Sequence, residues 1–450
     1  MATKKGKPPL VAIVGRPNVG KSTLFNRIAG ADKSIVESTP GVTRDRVYAD
    51  VRWKGAEFCL IDTAGLEPPG SADEPGAREQ AEVAIEEADL ILMLLSATDA
   101  PLPQDGEIIR VLRKSGKKVL YVVNKVDHQK HEGLVDDFHS LGEVERAGVS
   151  ALHGRNVYEL VDRIASLLPA SEPSLREDEP AAVRLAILGK PNVGKSTLVN
   201  TVLKAERMVT SPVAGTTRDA VDVEFEYGGR KYVMTDTAGV RKRARVGAGV
   251  ERLATLRAIR SIAECDAAVL MIDAAGGPSR QDTRLASIIE DRGRAAVIAL
   301  NKWDLAPDGM EEEAGDIAEK TVRRLGGALH FAPVVKLSAL QGGGIRSLFA
   351  AVRRAASRHG AKISTRKLND FLKKTVARGP SVFKGREFKA YYMSQVGVRP
   401  PAFVVFTNAL SASIPRHYAR YFERCLRDEF GFEGTPVRLF FRKRKDSGGK

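Results

Sequence analysis

GRPNVGKS at Gly15–Ser22 returns 174 residues later as GKPNVGKS at Gly189–Ser196. Each copy fits G-x-x-x-x-G-K-[ST]. In that pattern glycines let backbone N–H groups close around phosphates, the lysine reaches the terminal phosphates and the serine hydroxyl meets Mg²⁺. The loop residues are Gly15, Arg16, Pro17, Asn18, Val19, Gly20, Lys21, Ser22 and Thr23 in the first copy. Their counterparts are Gly189, Lys190, Pro191, Asn192, Val193, Gly194, Lys195, Ser196 and Thr197. With glycine at about 7% of residues a single match arises by chance in few chains. Two copies sharing PNVGKSTL do not.

Apolar runs LVAIVG (Leu10–Gly15) and RLAILG (Arg184–Gly189) lead into the loops, and helix-forming STLFNRIAG and STLVNTVLK follow. Strand, loop, helix is the order this chemistry needs. Near-continuous apolar runs at Asp89–Leu95, Lys118–Asn124, Asp266–Asp273 and Ala295–Asn301 suit strands covered on both faces of a parallel sheet. The predicted class is α/β: two tandem nucleotide folds, each a mostly parallel sheet with helices on both faces, then a small α+β module.

Composition sets outer limits. The 450 residues imply about three domains, and 43% hydrophobic content is enough for packed cores. No apolar run approaches the roughly 20 residues of a membrane span, and the basic start MATKKGKPPL lacks the apolar core of a secretory signal. Cys59, Cys265 and Cys425 lack metal-ligand or redox spacing and read as small buried hydrophobes. The expectation is a soluble, cytoplasmic, monomeric protein without a membrane anchor.

The repeat extends past the loops. PGVTRD (Pro40–Asp45) answers AGTTRD (Ala214–Asp219), and DTAG at Asp62 answers DTAG at Asp236, again 174 apart. NKVD (Asn124–Asp127) answers NKWD (Asn301–Asp304) at 177, and SAL at Ser150 answers SAL at Ser338 at 188. The growing offset puts eleven extra residues between the last two motifs of the second copy; acidic Asp308–Asp316 reads as part of that solvated insertion.

These residues resemble the translation-factor-related GTPases. Tandem copies followed by a basic C-terminal module resemble the Der/EngA family of bacterial ribosome-assembly GTPases, over essentially the whole chain. NKxD argues for guanine over adenine, because an ionised aspartate accepts from both N1–H and the 2-amino group, a donor edge adenine lacks. Asp127 and Asp304 would therefore set base choice. The resemblance implies that Asn124, Lys125, Asn301 and Lys302 brace the base, with Ser150–Ala151 and Ser338–Ala339 bordering it through backbone amides.

The resemblance also implies GTP and GDP at two sites with Mg²⁺ at each. Lys21 and Lys195 would neutralise charge on the phosphates. Ser22 and Ser196 would ligate Mg²⁺, joined by Thr43 and Thr217 of the switch loops, with Asp62 and Asp236 as indirect partners. Gly65 and Gly239 would offer N–H groups to the γ-phosphate, and its loss would release both loops. After DTAG, where Ras-like enzymes carry a water-orienting glutamine, stand Leu66 and Val240. Neither orients a water, so turnover should be slow unless another charge assists. Asn18 and Asn192 match an asparagine that coordinates K⁺ in related potassium-activated GTPases; an asparagine merely suited to a tight loop is the alternative.

The two copies differ beyond DTAG. Arg241, Lys242, Arg243 and Arg245 follow the second, whereas acidic, proline-rich LEPPGSADEP follows the first. The former reads either as a solvated loop or as a contact for nucleic acid or an acidic domain face. Between copies, proline-rich acidic PASEPSLREDEPAA (Pro169–Ala182) reads as a flexible linker. The expected domains are 1–168, the linker 169–182, 183–360, a KH-like module 361–441 and a basic disordered tail 442–450.

Residues 361–450 hold 20 Lys and Arg against 7 Asp and Glu, which is +13 of the chain's net +15. Such a balance favours a polyanion, RNA first. Helix Ile363–Ala377, strands Phe388–Val396 and Ala402–Thr407, helix Pro415–Phe430 and strand Val437–Phe441 are expected, an order that resembles the family's KH-like domain. KH modules clamp RNA with a GXXG loop; the only match here, Gly431–Gly434, falls after the second helix, the wrong place. The module would therefore bind by basic faces or dock on the G domains. Candidate phosphate contacts are Lys373, Lys374, Arg378, Lys384, Arg386, Arg416 and Arg420; Tyr391, Tyr392, Phe403, Phe406, Tyr418, Tyr421 and Phe422 read as core.

The family implies a GTP-driven switch on the large ribosomal subunit and its RNA. A GTPase of another RNA process, such as tRNA modification, would share the motifs without a second G domain. A scaffold that binds GTP or GDP without hydrolysis is the third reading, against which both complete motif sets argue.

Overall fold

In the computed structural model the chain is described at residues 9–31, 48–63, 82, 85–99, 102–128, 133, 138, 146–168, 182–205, 222–235, 248–305, 314–378, 382–383, 386–409 and 414–443. It divides into two compact units, Met1–Glu179 with Ala244–Ala263, and Pro180–Arg243 with Glu264–Lys450.

The first unit is built on β1 (Leu10–Val14), α1 (Lys21–Ala31), β2 (Tyr48–Trp53), β3 (Ala56–Asp62), β4 (Leu90–Ser96), α2 (Pro103–Lys114), β5 (Val119–Asn124), β6 (Arg146–Gly148) and α3 (Val157–Leu167). The strand order is β2-β3-β1-β4-β5-β6, and only β2 with β3 is antiparallel. Alternate residues of β1 enter different cores. Val11 and Ile13 pack with Leu24 and Ile28 of α1 and Leu160, Val161 and Ile164 of α3. Ala12 and Val14 pack with Ile108, Ile109 and Leu112 of α2. This two-sided burial is why β1 and β4 carry no polar residue before Ser96.

The second unit repeats the plan with β7 (Val183–Leu188), α4 (Lys195–Ala205), β8 (Val223–Tyr227), β9 (Arg230–Thr235), β10 (Ala267–Asp273), α6 (Arg280–Asp291), β11 (Ala295–Asn301), α7 (Ala314–Arg324), β12 (Val334–Lys336) and α8 (Ile345–His359). Its sheet order, β8-β9-β7-β10-β11-β12, is the same arrangement. Helix α5 (Ala248–Glu264) clusters, through residue 263, with the first unit. There Arg257 Nε donates to Glu87 Oε1 at 2.8 Å and Arg260 Nη1 to the Glu87 carbonyl at 2.9 Å.

The C-terminal module comprises α9 (Thr365–Arg378), short strands β13 (Val382–Phe383) and β14 (Arg386–Glu387), β15 (Ala390–Gly397), β16 (Ala402–Thr407), α10 (Arg416–Phe430) and β17 (Arg438–Lys443). β15 is antiparallel and β17 parallel to β16. β17 passes the expected end at Phe441, because the pairing continues as Phe406 with Arg442 and Thr407 with Lys443; those two residues belong to the sheet, not a tail. Phe403, Tyr418 and Phe422 form the core as expected. Tyr391 and Tyr392 do not: they are 47% and 43% exposed. The register of β15 slips between Ala390 and Tyr392, a bulge that takes both successive rings off the buried face.

The GXXG match serves docking. Gly431 ends α10 in the left-handed conformation, its N–H bonded to the Arg427 carbonyl at 2.7 Å. Gly434 donates to the Phe331 carbonyl and accepts from the Ala296 N–H, both at 2.8 Å, so the turn is hydrogen-bonded to the second nucleotide fold at the start of β11. At φ +71° a Cβ on Gly434 would lie 2.5 Å from Ala355 Cβ. Arg427 holds the turn from behind, donating to the Phe432 and Thr435 carbonyls at 2.9 and 2.7 Å. His359 Nδ1 lies 3.2 Å from Thr435 Oγ1; burial, helped by Arg294 and Arg399, pushes its pKa down to about 3, so the ring is neutral at pH 7.

Cys59 and Cys265 are buried and Cys425 is half-buried. Burial pushes the Cys265 thiol up to about 12, which leaves it protonated and inert. Among the described residues no helix is long and apolar enough to cross a membrane.

Candidate nucleotide sites

Both loops leave the C-terminal end of a central strand and open a helix. Gly15 and Gly189 have φ +154° and +140°, and a Cβ on either would meet a carbonyl oxygen, of Leu94 or Met271, at 2.4 Å. The loop passes that close to the neighbouring strand only without a side chain. Lys21 Nζ donates to the carbonyls of Gly15 and Arg16 at 2.7 and 2.8 Å, and Lys195 Nζ to those of Gly189 and Lys190 at the same distances. Each ammonium is thereby fixed at the centre of its loop.

Asn18 and Asn192 are exposed and have φ +63° and +62°. Asparagine is among the few residues that tolerate this conformation, which accounts for the residue type without any ligand. Pro17 and Pro191 are also exposed, whereas Val19 and Val193 are fully buried and anchor the loops. Thr23 is exposed and Thr197 half-buried at the helix starts. Ser22 Oγ donates to Asp62 Oδ2 at 2.7 Å, which brings P-loop hydroxyl and DTAG carboxylate to one point. Ser196 is exposed at the equivalent place.

The NKxD asparagines act as ties. Asn124 Nδ2 donates to the Val19 carbonyl at 2.8 Å while its Oδ1 accepts from the Ala151 N–H at 2.9 Å. Asn301 repeats this with Val193 at 2.7 Å and Ala339 at 2.9 Å. One buried amide thus joins P-loop, NKxD and SAL segments in each copy. Lys125 and Lys302 both have positive φ, +67° and +62°, which turns the chain sharply after the strand. Asp127 Oδ1 accepts from Ser150 Oγ at 2.6 Å. Asp304 is exposed in the short 3₁₀ turn Trp303–Leu305, and buried Ser338 lies at the SAL turn.

Several supports were not legible from the motifs. Arg27 Nε donates to the Ala151 carbonyl at 2.9 Å; at the equivalent position Thr201 Oγ1 donates to the Ala339 carbonyl at 2.7 Å. Both helices thus grip the SAL turn with different chemistry, a pairing only the 174-residue offset could have flagged. Arg16 pairs with Asp99 at 2.6 Å and buried Asp105 at 3.3 Å. The Arg16 hydrogen bond holds Asp99 below the usual carboxylate range, while burial raises Asp105 despite the same partner. In the second copy Lys190 replaces Arg16, and Lys302 instead pairs with Asp273 at 2.7 Å, lowering that carboxyl.

Thr43, Gly65, Leu66, Thr217, Asp236, Gly239, Val240 and the Arg241–Arg245 cluster lie outside the described residues, as do the linker through residue 181, Lys384 and most of the acidic insertion.

A sequence family described as 50S ribosome-binding GTPase matches residues 10–125 and 184–302. A second, the C-terminal KH-domain-like module of EngA bacterial GTPase enzymes, matches residues 362–442. GTPase Der of Ruminiclostridium cellulolyticum is 42% identical over 443 residues, 97% of this chain and 99% of the relative. The chain belongs to the GTPase Der family. GTPase Der of Syntrophotalea carbinolica is 43% identical over 439 residues, with 97% of this chain and 99% of that protein covered. GTPase Der of Pelotomaculum thermopropionicum is 43% identical over 443 residues, covering 97% and 98%.

The protein is therefore a GTPase with two G domains, and GTP or GDP with Mg²⁺ belongs to each. The residues fit the ion: Ser22 and Asp62 offer hard oxygen donors side by side. Among the described residues no three His, Cys, Asp or Glu side chains gather into a cage. When bound, the ion neutralises charge on the β- and γ-phosphates.

Burial lowers the Lys195 pKa to about 8, with Asp282 opposing the shift. Below pH 8 the ammonium is charged; above it the proton is lost, and a polyanionic phosphate beside it restores the charge. Nucleotide binding at the second site should therefore take up a proton above pH 8 and weaken as pH rises. Calorimetric titration of GDP in two buffers of different ionisation enthalpy should give buffer-dependent heats at pH 8.5 that correspond to proton uptake. Identical heats at pH 8.5 would refute it.

Proposed function

We propose that the protein is a GTP-driven switch that binds RNA of the large ribosomal subunit and assists its assembly, acting as a monomer in the cytoplasm. The observation that carries this reading is the seat of the basic C-terminal module. Its Gly434 turn is hydrogen-bonded to Ala296 at the start of β11, and β11 ends in Asn301, the tie of the second nucleotide site. One strand thus runs from the polyanion-binding module to the base-recognition motif. The relatives' name and the matched family's description, a 50S ribosome-binding GTPase, support the choice of partner.

The domain scheme we propose is two G domains joined by the acidic linker 169–182, with the KH-like module following residue 360. Asp127 and Asp304 select guanine; Lys21 and Lys195, Ser22 and Ser196 with Mg²⁺, Thr43 and Thr217, Asp62 and Asp236, and the Gly65 and Gly239 amides hold the triphosphate. This chain's own work at the γ-phosphate is positioning and charge neutralisation, since Leu66 and Val240 supply no hydrogen bond to water. Turnover is consequently slow, and K⁺ beside Asn18 and Asn192 supplies the missing charge. Hydrolysis should be several-fold faster in KCl than in NaCl at equal ionic strength; equal rates would discard the K⁺ role. For the switch itself, sedimentation with ribosomal subunits should depend on which nucleotide each site holds, and nucleotide-independent sedimentation would count against it.

A further inference from the structure

Helix α8 is amphipathic in an unusual way for a helix flanking a nucleotide fold. Its buried side carries Ile345, Leu348, Val352, Ala355 and His359, while Arg353, Arg354, Ser357 and Arg358 share the exposed side one turn apart. With Arg230 at the start of β9 these four line a cavity of about 470 Å³. A second cavity, about 340 Å³, is also lined by Arg358, with Lys362, Lys367 and Phe430 among others. The two share that one lining residue.

Most of the charge in them has no ion-pair partner among the described residues. Among the described residues Arg354 pairs with Glu433 at 3.1 Å, but Arg230, Arg353, Arg358, Lys362 and Lys367 have no carboxylate within ion-pair distance. Arg230 Nε is buried without a hydrogen-bond partner. Five cations without a carboxylate partner among the described residues surround the two hollows and give them a positive potential. The out-of-place GXXG turn lies against two of the lining arginines. A Cβ on Gly431 would lie 3.5 Å from Arg358 Nη2, and Glu433 of that turn holds Arg354. Planar guanidinium groups match phosphate oxygens in pairs.

We infer that the paired hollows about Arg358 bind the phosphodiester backbone of an RNA strand, one phosphate at Arg230, Arg353 and Arg358 and the next at Lys362 and Lys367. Phe430 at the second hollow offers an apolar surface beside the backbone. This deepens the proposed function and rests on its RNA reading. It also relocates the contact: the exposed Lys373 and Lys374 of α9, named from charge alone, line neither hollow.

The test compares full-length wild type with R353E/R358E, R353Q/R358Q, R353K/R358K and K373E/K374E for binding to purified large-subunit ribosomal RNA over a salt series. Both charge-removing pairs should lose at least tenfold in affinity at about 0.15 M salt, and the slope of log affinity against log salt should fall by roughly one to two. The lysine pair should stay within a few-fold of wild type and K373E/K374E should lose less, with GTP hydrolysis and thermal unfolding unchanged in all four. R353Q/R358Q serves if the reversed charges prevent folding. Wild-type RNA binding that R353Q/R358Q does not change overturns the site and spares the RNA reading; no RNA binding by wild type overturns both. Loss of binding to the intact subunit with naked-RNA binding retained would assign the hollows to an acidic protein and refute the inference. An equal loss in K373E/K374E would show a diffuse charge effect and refute it too.

Discussion

Gly194→Ala should abolish nucleotide binding at the second site and leave the first intact. Gly194 has φ +105°, and an added Cβ would stand 2.2 Å from Asn301 Nδ2. A flexible side chain would swing away. Asn301 is 2% exposed and spends its amide on the Val193 carbonyl and the Ala339 N–H, so displacing it breaks two buried hydrogen bonds and unties loop, NKxD and SAL at once. Two unsatisfied buried groups at about 1–3 kcal/mol each, with backbone strain of about 1 kcal/mol or more, total several kcal/mol, a loss in affinity on the order of a thousandfold. Titration with a fluorescent guanine nucleotide should show stoichiometry falling from two to one. Gly20→Ala should do the same at the first site, where the Cβ would meet Asn124 Nδ2 at 2.3 Å. Two unaltered sites in Gly194→Ala would show that the tie is dispensable.

Asp127→Asn and Asp304→Asn should each exchange guanine for xanthine at one site. The carboxylate accepts from the two donors on the guanine edge, and hydrogen bonds to a charged group are worth about 1.5–3 kcal/mol each. An amide loses one acceptor and gains a donor, which suits the 2-oxo group of xanthine. Guanine affinity at that site should fall by two to four orders of magnitude, with xanthosine diphosphate regained. In the first copy Asn at position 127 can still accept from Ser150 Oγ, now 2.6 Å from Asp127 Oδ1, so the local fold should survive. Competition binding with guanine and xanthine nucleotides measures the exchange; retained guanine preference in either variant would remove that aspartate from base recognition. With the exchange in hand, each site can be loaded separately and its effect on ribosome sedimentation assigned.

Lys21 and Lys195, Ser22 and Asp62, Asn124 and Asn301 were all legible as motif members, because phosphate and base chemistry demand fixed residue types at fixed spacing. The sheet was equally legible: β1, β4, β10 and β11 are covered on both faces, so their residues are apolar without alternation. What the side chains do was less so. Asn124 and Asn301 read as base-bracing residues; the fold uses both ends of each amide to bind three segments of the chain together. Tyr391 and Tyr392 read as core, and a register slip in β15 exposed them.

The amino-acid order by itself determined two G modules, guanine choice and a basic end, since each follows from residue type and local period. Only the tertiary structure decided where the GXXG turn lies, which arginines converge and which helix grips each SAL turn. Those depend on contacts between residues far apart in the chain: Gly434 with Ala296, Arg358 in the lining of two hollows, Arg27 and Thr201 on equivalent carbonyls. Such contacts come from packing geometry, which leaves no periodic mark on the sequence.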